Sequence, residues 1–335
     1  MRLTTSASIA AISLLVAALS AHAARRPHYG GTLRIDTSSV NVSEMLARLN
    51  WQPAKPMRAP DAAASGAGPF RIAGEEPGKS VSLEANDDYW AGRPYLDRVE
   101  IRLGRGAREQ ALDFELGRAD IIDVPLADVR RAQQQGARVV ETQPIRTLGL
   151  VLENDRVREA LALAIDRSAI RNVLLQRQGE ISGALLPQWL TGYAFLFPSD
   201  HNVSRARELA AGVPALAFAF DAQSPLLRPI AERIMLNAAE AGLTLRPAGA
   251  DKPDVRLVSL RIASPDPKQA LGDMAAALGG SLPPAITDDP NSLYQAERAL
   301  IAARHVIPLF HLPVAYQLSP AVRGWNIDPC DRWDL

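Results

Sequence analysis

The sequence predicts an α/β protein of two lobes, and three observations carry that prediction. The chain has 335 residues, 47% of them hydrophobic and 22% charged, enough apolar material for two cores of ordinary size. Residues 69 to 103 alternate apolar and polar side chains around turn signals, the pattern of strands with one buried face. From residue 216 onward, short β-type runs alternate with stretches of helical period, the signature of strand, helix, strand units.

At the start of the chain, Met1 to Ala23 carries Arg2, an apolar centre from Ile9 to Leu19, and Ala21-His22-Ala23 as a small-x-small cleavage pattern. This reads as a cleavable secretory signal, because about a dozen apolar residues are too few to cross a hydrocarbon core of roughly 30 Å. No cysteine sits at the cleavage point to carry a lipid, so the expected destination is the periplasm.

Gly30 to Ile35 reads as a turn feeding a strand. Residues 51 to 68, with Pro53, Pro56, Pro60, an alanine run and two glycines, read as a linker, and the whole of 36 to 68 is expected to be extended and weakly packed. Phe70 to Ile72, Ser80 to Glu84 and Val99 to Leu103 are the expected strands of the β-rich block, with Tyr89 and Trp90 closing its core. Residues 155 to 178 fit two successive helices, Asp155 and Asp166 serving as caps. Leu216 to Phe220 is an expected strand, Pro225 to Ala241 a helix stopped by Gly242, and Leu243 to Leu245 and Val255 to Ile262 further strands. Lys268 to Leu278 and Ser292 to Ala303 are expected helices, and Val306 to Leu318 an extended run interrupted by Pro308 and Pro313. The expected division is a signal at 1–23, a first lobe at 24–150, a second lobe at 151–304, and a return to the first lobe at 305–335.

Composition excludes several functions. With 37 basic and 37 acidic residues, no basic block and 5% aromatics, the chain lacks the footprint of a nucleic-acid binder. Gly66-Ala67-Gly68 follows a linker and precedes a strand, the reverse of a phosphate-binding loop. His28, His201, His305 and His311 make no i,i+3 or i,i+4 pair, so neither a metal site nor a cofactor is expected. No Gly-x-Ser-x-Gly elbow is present, and the adjacent carboxylates Glu75-Glu76, Asp87-Asp88 and Asp288-Asp289 would point apart in extended chain, so an enzyme is not expected. Cys330 is the single cysteine; it is expected to lie partly covered near the surface, the other reading being a reactive thiol.

Several segments resemble the solute-binding protein family 5, the extracytoplasmic receptors of ABC importers for peptides, nickel and related solutes. Tyr29 to Ile35 (YGGTLRI) is similar to its first strand, Gly66 to Ile72 (GAGPFRI) with Asn86 to Trp90 (NDDYW) to its G-x-G-P-F and N-x-x-Y-W block, and Glu115 to Ile121 to its L-x-x-G-E-x-D segment. Val157 to Arg167 (VREALALAIDR) resembles its V-R-x-A-L-x-x-A-I-D-R helix, and Ile307 to Leu312 with Arg323 to Trp325 its returning strand. The resemblance implies a two-lobed periplasmic binding protein-like fold, a peptide or similar small ligand held between lobes, an inner-membrane ABC permease as partner, and a monomer. Two departures stand out. Residues 36 to 65 replace a much longer stretch of the family, implying a reduced first lobe, and Ala263 stands where the family often has an Asp that pairs with a peptide's amino terminus. The rival reading is a non-transporting interaction or regulatory protein, or a truncated relative that binds no ligand.

The expected ligand contacts are Trp189, Tyr193, Ser264 and Asp266. Trp189 and Tyr193 lie in a Pro- and Gly-containing loop, either as a pocket wall or buried in their own lobe. Ser264 and Asp266 follow a strand and precede a helix, where loops gather ligand groups and where, equally, side chains cap helices.

Overall fold

Residues 29–49, 68–153, 157–249, 252–283 and 286–334 are described by a computed structural model; the expected signal at 1–23 and residues 51–67 of the expected linker lie outside them. The first sheet has seven strands. β1 (Thr32–Asp36), β2 (Phe70–Glu76), β3 (Ser80–Ala85), β4 (Arg98–Arg102), β5 (Ile121–Asp123) and β6 (Val139–Glu141) come from the first half of the chain, and β13 (Ala315–Leu318) from its end. Their order is β2-β3-β4-β1-β5-β13-β6. Alternation explains the outer strands: Val81, Leu83, Val99 and Ile101 enter the core with Leu33 and Ile35, while the residues between them face out.

The second sheet holds β7 (Arg146–Leu152), β8 (Glu180–Ile181), β9 (Leu216–Ala219), β10 (Leu245–Pro247), β11 (Val255–Arg261) and β12 (Val306–Leu312), in the order β10-β9-β11-β7-β12-β8. Thr147 to Leu152 is buried throughout, as a strand covered on both faces must be. On one face lie α4 (Arg158–Ala164) and α8 (Leu227–Glu240), with Leu161, Ile230 and Ile234 against Leu148 and Leu150. On the other lie α9 (Pro267–Ala277) and α10 (Pro290–Ala303), with Leu271, Met274, Leu293 and Leu300 clustered with Ile145 and Val151. Gly149 permits β12 to pass closely: a Cβ there would meet the Ile307 carbonyl oxygen at 3.0 Å, beside the register shift between Pro308 and Phe310.

Two adjacent crossings join the sheets. The chain leaves β6, passes through 142–145 and enters β7; later it leaves β12, passes through 313–314 and enters β13. The second lobe is thus inserted into the first, spanning 146–312. The entry lies a few residues before the expected boundary at 150/151, and the return begins at 313 instead of 305 because Val306 to Leu312 pairs with β7.

Three further expectations change. Residues 42–48 are not extended: α1 (Val42–Arg48) starts at an Asn41 cap whose side chain accepts from the Glu44 N–H, and it buries Met45 and Leu46, with Leu49 beyond. Trp90 is 86% exposed and Tyr89 half-buried, because the turn after β3 carries them past the sheet. Cys330 is 1% exposed, held by a turn in which Asp328 accepts from the N–H groups of Cys330 and Arg332. Asp166 caps α5 (Arg167–Val173) as expected, accepting from the Ala169 N–H at 2.8 Å. The charge-rich helices α2 (Ala107–Glu115), α3 (Leu126–Gln134) and α7 (Val203–Ala210) had no assignment from sequence; the short α6 (Gln188–Thr191) lies in the Trp189 loop.

Candidate functional site

The seam between the lobes is lined by charge. From the first lobe, one turn of α1 separates Glu44 and Arg48, which pair at 2.7 Å. Arg48 is buried, and its Nη1 donates to the Tyr316 hydroxyl at 3.1 Å while its Nε lies 3.1 Å from Asp331. Asp331 comes from the hairpin of β14 (Asn326–Ile327) and β15 (Trp333–Asp334), on a turn where its own φ is 64°. It accepts from the Tyr316 hydroxyl at 2.8 Å and the Trp333 indole N–H at 3.0 Å. Tyr316, Trp325 and Trp333 pack edge to face around it.

The second lobe answers with two arginines. Arg146 opens β7 and Arg261 closes β11, and the two are register partners. Arg261 reaches Glu44 at 3.4 Å, the Cys330 carbonyl oxygen at 3.3 Å and Asp331 at 3.5 Å; Arg146 lies 3.7 Å from Glu44. Burial opposes the Glu44 charge, but Arg48, Arg146 and Arg261 outweigh it and hold the carboxyl below its ordinary pKa. Burial and then the Arg48 charge push Arg261 down. Burial also pushes Asp331 up, against the pull of Arg48. Beside this network, at the ends of β1 and β5, Asp123 accepts from Thr37 and from both the N–H and hydroxyl of Ser38.

The four residues expected at the ligand separate. The Tyr193 hydroxyl donates to Glu297 at 2.9 Å inside the second lobe, and Ser264 is buried, its hydroxyl on Gln269 and accepting from the Asp266 N–H. Asp266 is exposed and caps α9, accepting from the N–H groups of Lys268 and Gln269. Trp189 is half-buried and donates its indole N–H to Pro144, within the first crossing, at 2.8 Å. Asp266 lines an open depression with Pro265, Pro267, Lys268, Asp288 and Leu293. None of the four belongs to the arginine network. Glu44, Arg48, Arg146, Arg261, Tyr316 and Asp331 were missed in sequence because, apart from the i,i+4 pair Glu44 and Arg48, no spacing links them; topology brings them together.

A second buried polar group supports the Trp189 loop. Glu297 on α10 accepts from the N–H groups of Leu185 and Leu186, while the His311 Nε2 lies 3.0 Å from the Ala184 carbonyl oxygen and 3.2 Å from that of Leu185, which places the ring proton on Nε2. Burial pushes Glu297 up to about 7, against its hydrogen bonds, and His311 down to about 4. Among the described residues no group of three His, Cys, Asp or Glu side chains is placed to hold a metal, and no helix is long and apolar enough to cross a membrane.

Residues 11–297 match the family model described as bacterial extracellular solute-binding proteins, family 5 Middle. The oligopeptide-binding protein AppA of Bacillus subtilis is 28% identical over 148 residues, covering 42% of this chain and 26% of that protein. Heme-binding protein A of Haemophilus influenzae is 27% identical over 212 residues, 57% of this chain and 38% of that protein. The chain therefore spans well under half the length of these two relatives. The structure of NikA from Staphylococcus aureus in complex with Ni(L-His)2 superposes with a TM-score of 0.65 at 17% identity, over 84% of this chain and 70% of that one.

Proposed function

The chain belongs to the bacterial extracellular solute-binding proteins of family 5, and from that premise we propose that it is the substrate-binding component of an ABC importer, taking a peptide or similar small solute between its lobes. The observation that carries this reading is the pair of crossings at 142–145 and 313–314. Two short segments are the only covalent links between the described parts of the two sheets, so the lobes can shift about them, with the first-lobe residues Val124, Leu126, Val129 and Ala315 sliding against the second lobe's apolar cluster, which they join. A solute that touches both lobes favours the arrangement in which they approach, and that approach signals occupancy to an inner-membrane permease. No bond is made or broken.

In this reading the protein works as a monomer in the periplasm after cleavage of residues 1–23. Trp189, which touches the hinge, and the exposed Asp266 remain proposed ligand contacts; Tyr193 and Ser264 support the loops that carry them. Native mass spectrometry of protein purified from the cell envelope tests the proposal. A small molecule that co-purifies and dissociates on gentle activation is the expected result. Bare protein that also fails to associate with a permease complex would overturn it in favour of a non-transporting relative.

A further inference from the structure

Two guanidinium groups on the seam have fewer partners than their chemistry demands. Arg146 and Arg261 face each other across an antiparallel pair, so their side chains leave the same face of the sheet with Cβ atoms roughly 5 Å apart. Like charges so placed repel unless an anion lies between them. The Arg146 side chain makes no hydrogen bond among the described residues; its nearest carboxylate oxygen is that of Glu44 at 3.7 Å. The three contacts of Arg261 are all at 3.3 Å or longer, and its buried Nε has no hydrogen-bond partner among the described residues. Glu44 is shared: the same Oε1 accepts from Arg48 at 2.7 Å and from Arg261 only at 3.4 Å, and its Oε2 accepts from the Ser39 hydroxyl. Asp331 is likewise occupied, by Arg48, Tyr316 and Trp333. The site is open to solvent: the side chains of Arg146, Arg261 and Glu44 are 33%, 21% and 25% exposed.

We propose that Arg146 and Arg261 together bind a carboxylate group of the solute, with Glu44 holding that place when no solute is present. This rests on the receptor reading above and deepens it by naming an acidic solute class. A carboxylate presents two coplanar oxygens to the planar fork of a guanidinium, and two forks on adjacent strands accept it from one side. The acid would draw the second lobe's arginines off Glu44, so the solute competes directly with a residue of the opposite lobe. Binding and lobe position are thereby coupled through one carboxylate replacing another.

The probes are citrate, succinate, acetate and inorganic phosphate, each titrated at constant ionic strength against chloride, followed by calorimetry and melting temperature. The expected result is saturable binding of at least one carboxylate to wild type. Binding should be weakened at least tenfold in Arg146→Met, the loss of one charge-assisted contact, and strengthened in Glu44→Gln. Arg146→Met loses no hydrogen bond and should fold; Arg261→Met is run beside it with its melting curve as control. Carboxylate binding unaffected by either arginine variant, phosphate binding alone, or no saturable binding by any probe would each overturn the proposal. A co-purifying solute that carries no acidic group would overturn it while leaving the receptor reading intact, whereas arginine-dependent carboxylate binding by a protein that meets no permease would do the converse.

Discussion

Thr142 and Val314 tie the two crossings to one another twice: the Thr142 N–H donates to the Val314 carbonyl oxygen at 2.9 Å, and the Val314 N–H donates to the Thr142 hydroxyl oxygen at 3.0 Å. Three residues after Thr142, the Ile145 N–H donates to the Leu312 carbonyl oxygen. The two crossings therefore form a paired ribbon, and the hinge proposed there would bend across its plane more readily than either strand would twist alone.

Replacing Thr142 by Val keeps the shape and removes the hydroxyl acceptor. The Val314 N–H then has no side-chain partner, and stability should fall by about 1–3 kcal/mol. Urea denaturation measures the loss, and hydrogen exchange at the Val314 amide should quicken more than at residues inside β12. Unchanged exchange there would mean that the ribbon is held by other contacts.

Asp331 has no exposed surface and receives Arg48, Arg261, Tyr316 and Trp333. Asp331→Asn leaves the buried Arg48 short of one anion, and losses of about 3–5 kcal/mol are usual when one member of a buried pair is removed. The adjacent Cys330 provides the readout: its buried thiol should react slowly with a disulfide reagent in wild type and much faster in the variant. Equal labelling rates would show that the C-terminal hairpin stands without Asp331.

Glu297 and His311 pull stability in opposite directions with pH. The folded protein holds the Glu297 proton up to about pH 7, whereas the unfolded chain loses it near 4.5, so this group's contribution is full below 4.5 and lost as pH rises through 7. His311 is neutral in the fold down to about 4 and protonates near 6.5 when unfolded, so its contribution is full above 6.5 and lost as pH falls through 4. Each swing is about 3 kcal/mol at about 1.4 kcal/mol per unit, and between pH 4.5 and 6.5 they cancel. Relative to wild type, Glu297→Gln should therefore gain stability as pH rises from 4.5 to 7, and His311→Asn should lose it from 4 to 6.5. Denaturation midpoints across that range check both slopes, and parallel profiles for all three proteins would refute the assignment.

Ala263 is exposed just past Arg261 and offers no carboxylate to an ammonium group. Calorimetry should find no preference for a dipeptide over its N-acetylated form. A strong preference for the free amine that disappears in Asp266→Ala would reverse this expectation and make Asp266 the amine's partner.

Much of the architecture was legible because burial follows period. Val81 and Leu83 alternate with polar neighbours, and Ile230 and Ile234 repeat at one helical turn, so strands and helices in those regions could be read directly. α2 could not, since the residues it buries are Gln110 and Asp113 and not an apolar stripe. α1 was hidden by its proline- and alanine-rich surroundings, though Asn41 before Met45 and Leu46 was an available cap signal. The candidate site was the least legible part. Glu44 and Arg261 are 217 residues apart and Arg48 and Tyr316 are 268 apart, and only the double crossing makes them neighbours. The sequence pointed instead to Tyr193 and Ser264, whose polar atoms are satisfied within the second lobe.

The insertion of one lobe within the other also sets an order of completion as the chain emerges from its N-terminus. The second sheet has all its strands once Leu312 is available, whereas the first must wait for β13, which fits between β5 and β6. Until then β5 and β6 have unpaired edges, and the buried partners of Arg48, Tyr316 and Asp331, have yet to be made. A chain stalled or clipped before residue 315 would thus carry a finished inner body on an open-edged outer one, a form exposed to proteolysis and to strand pairing with its own copies.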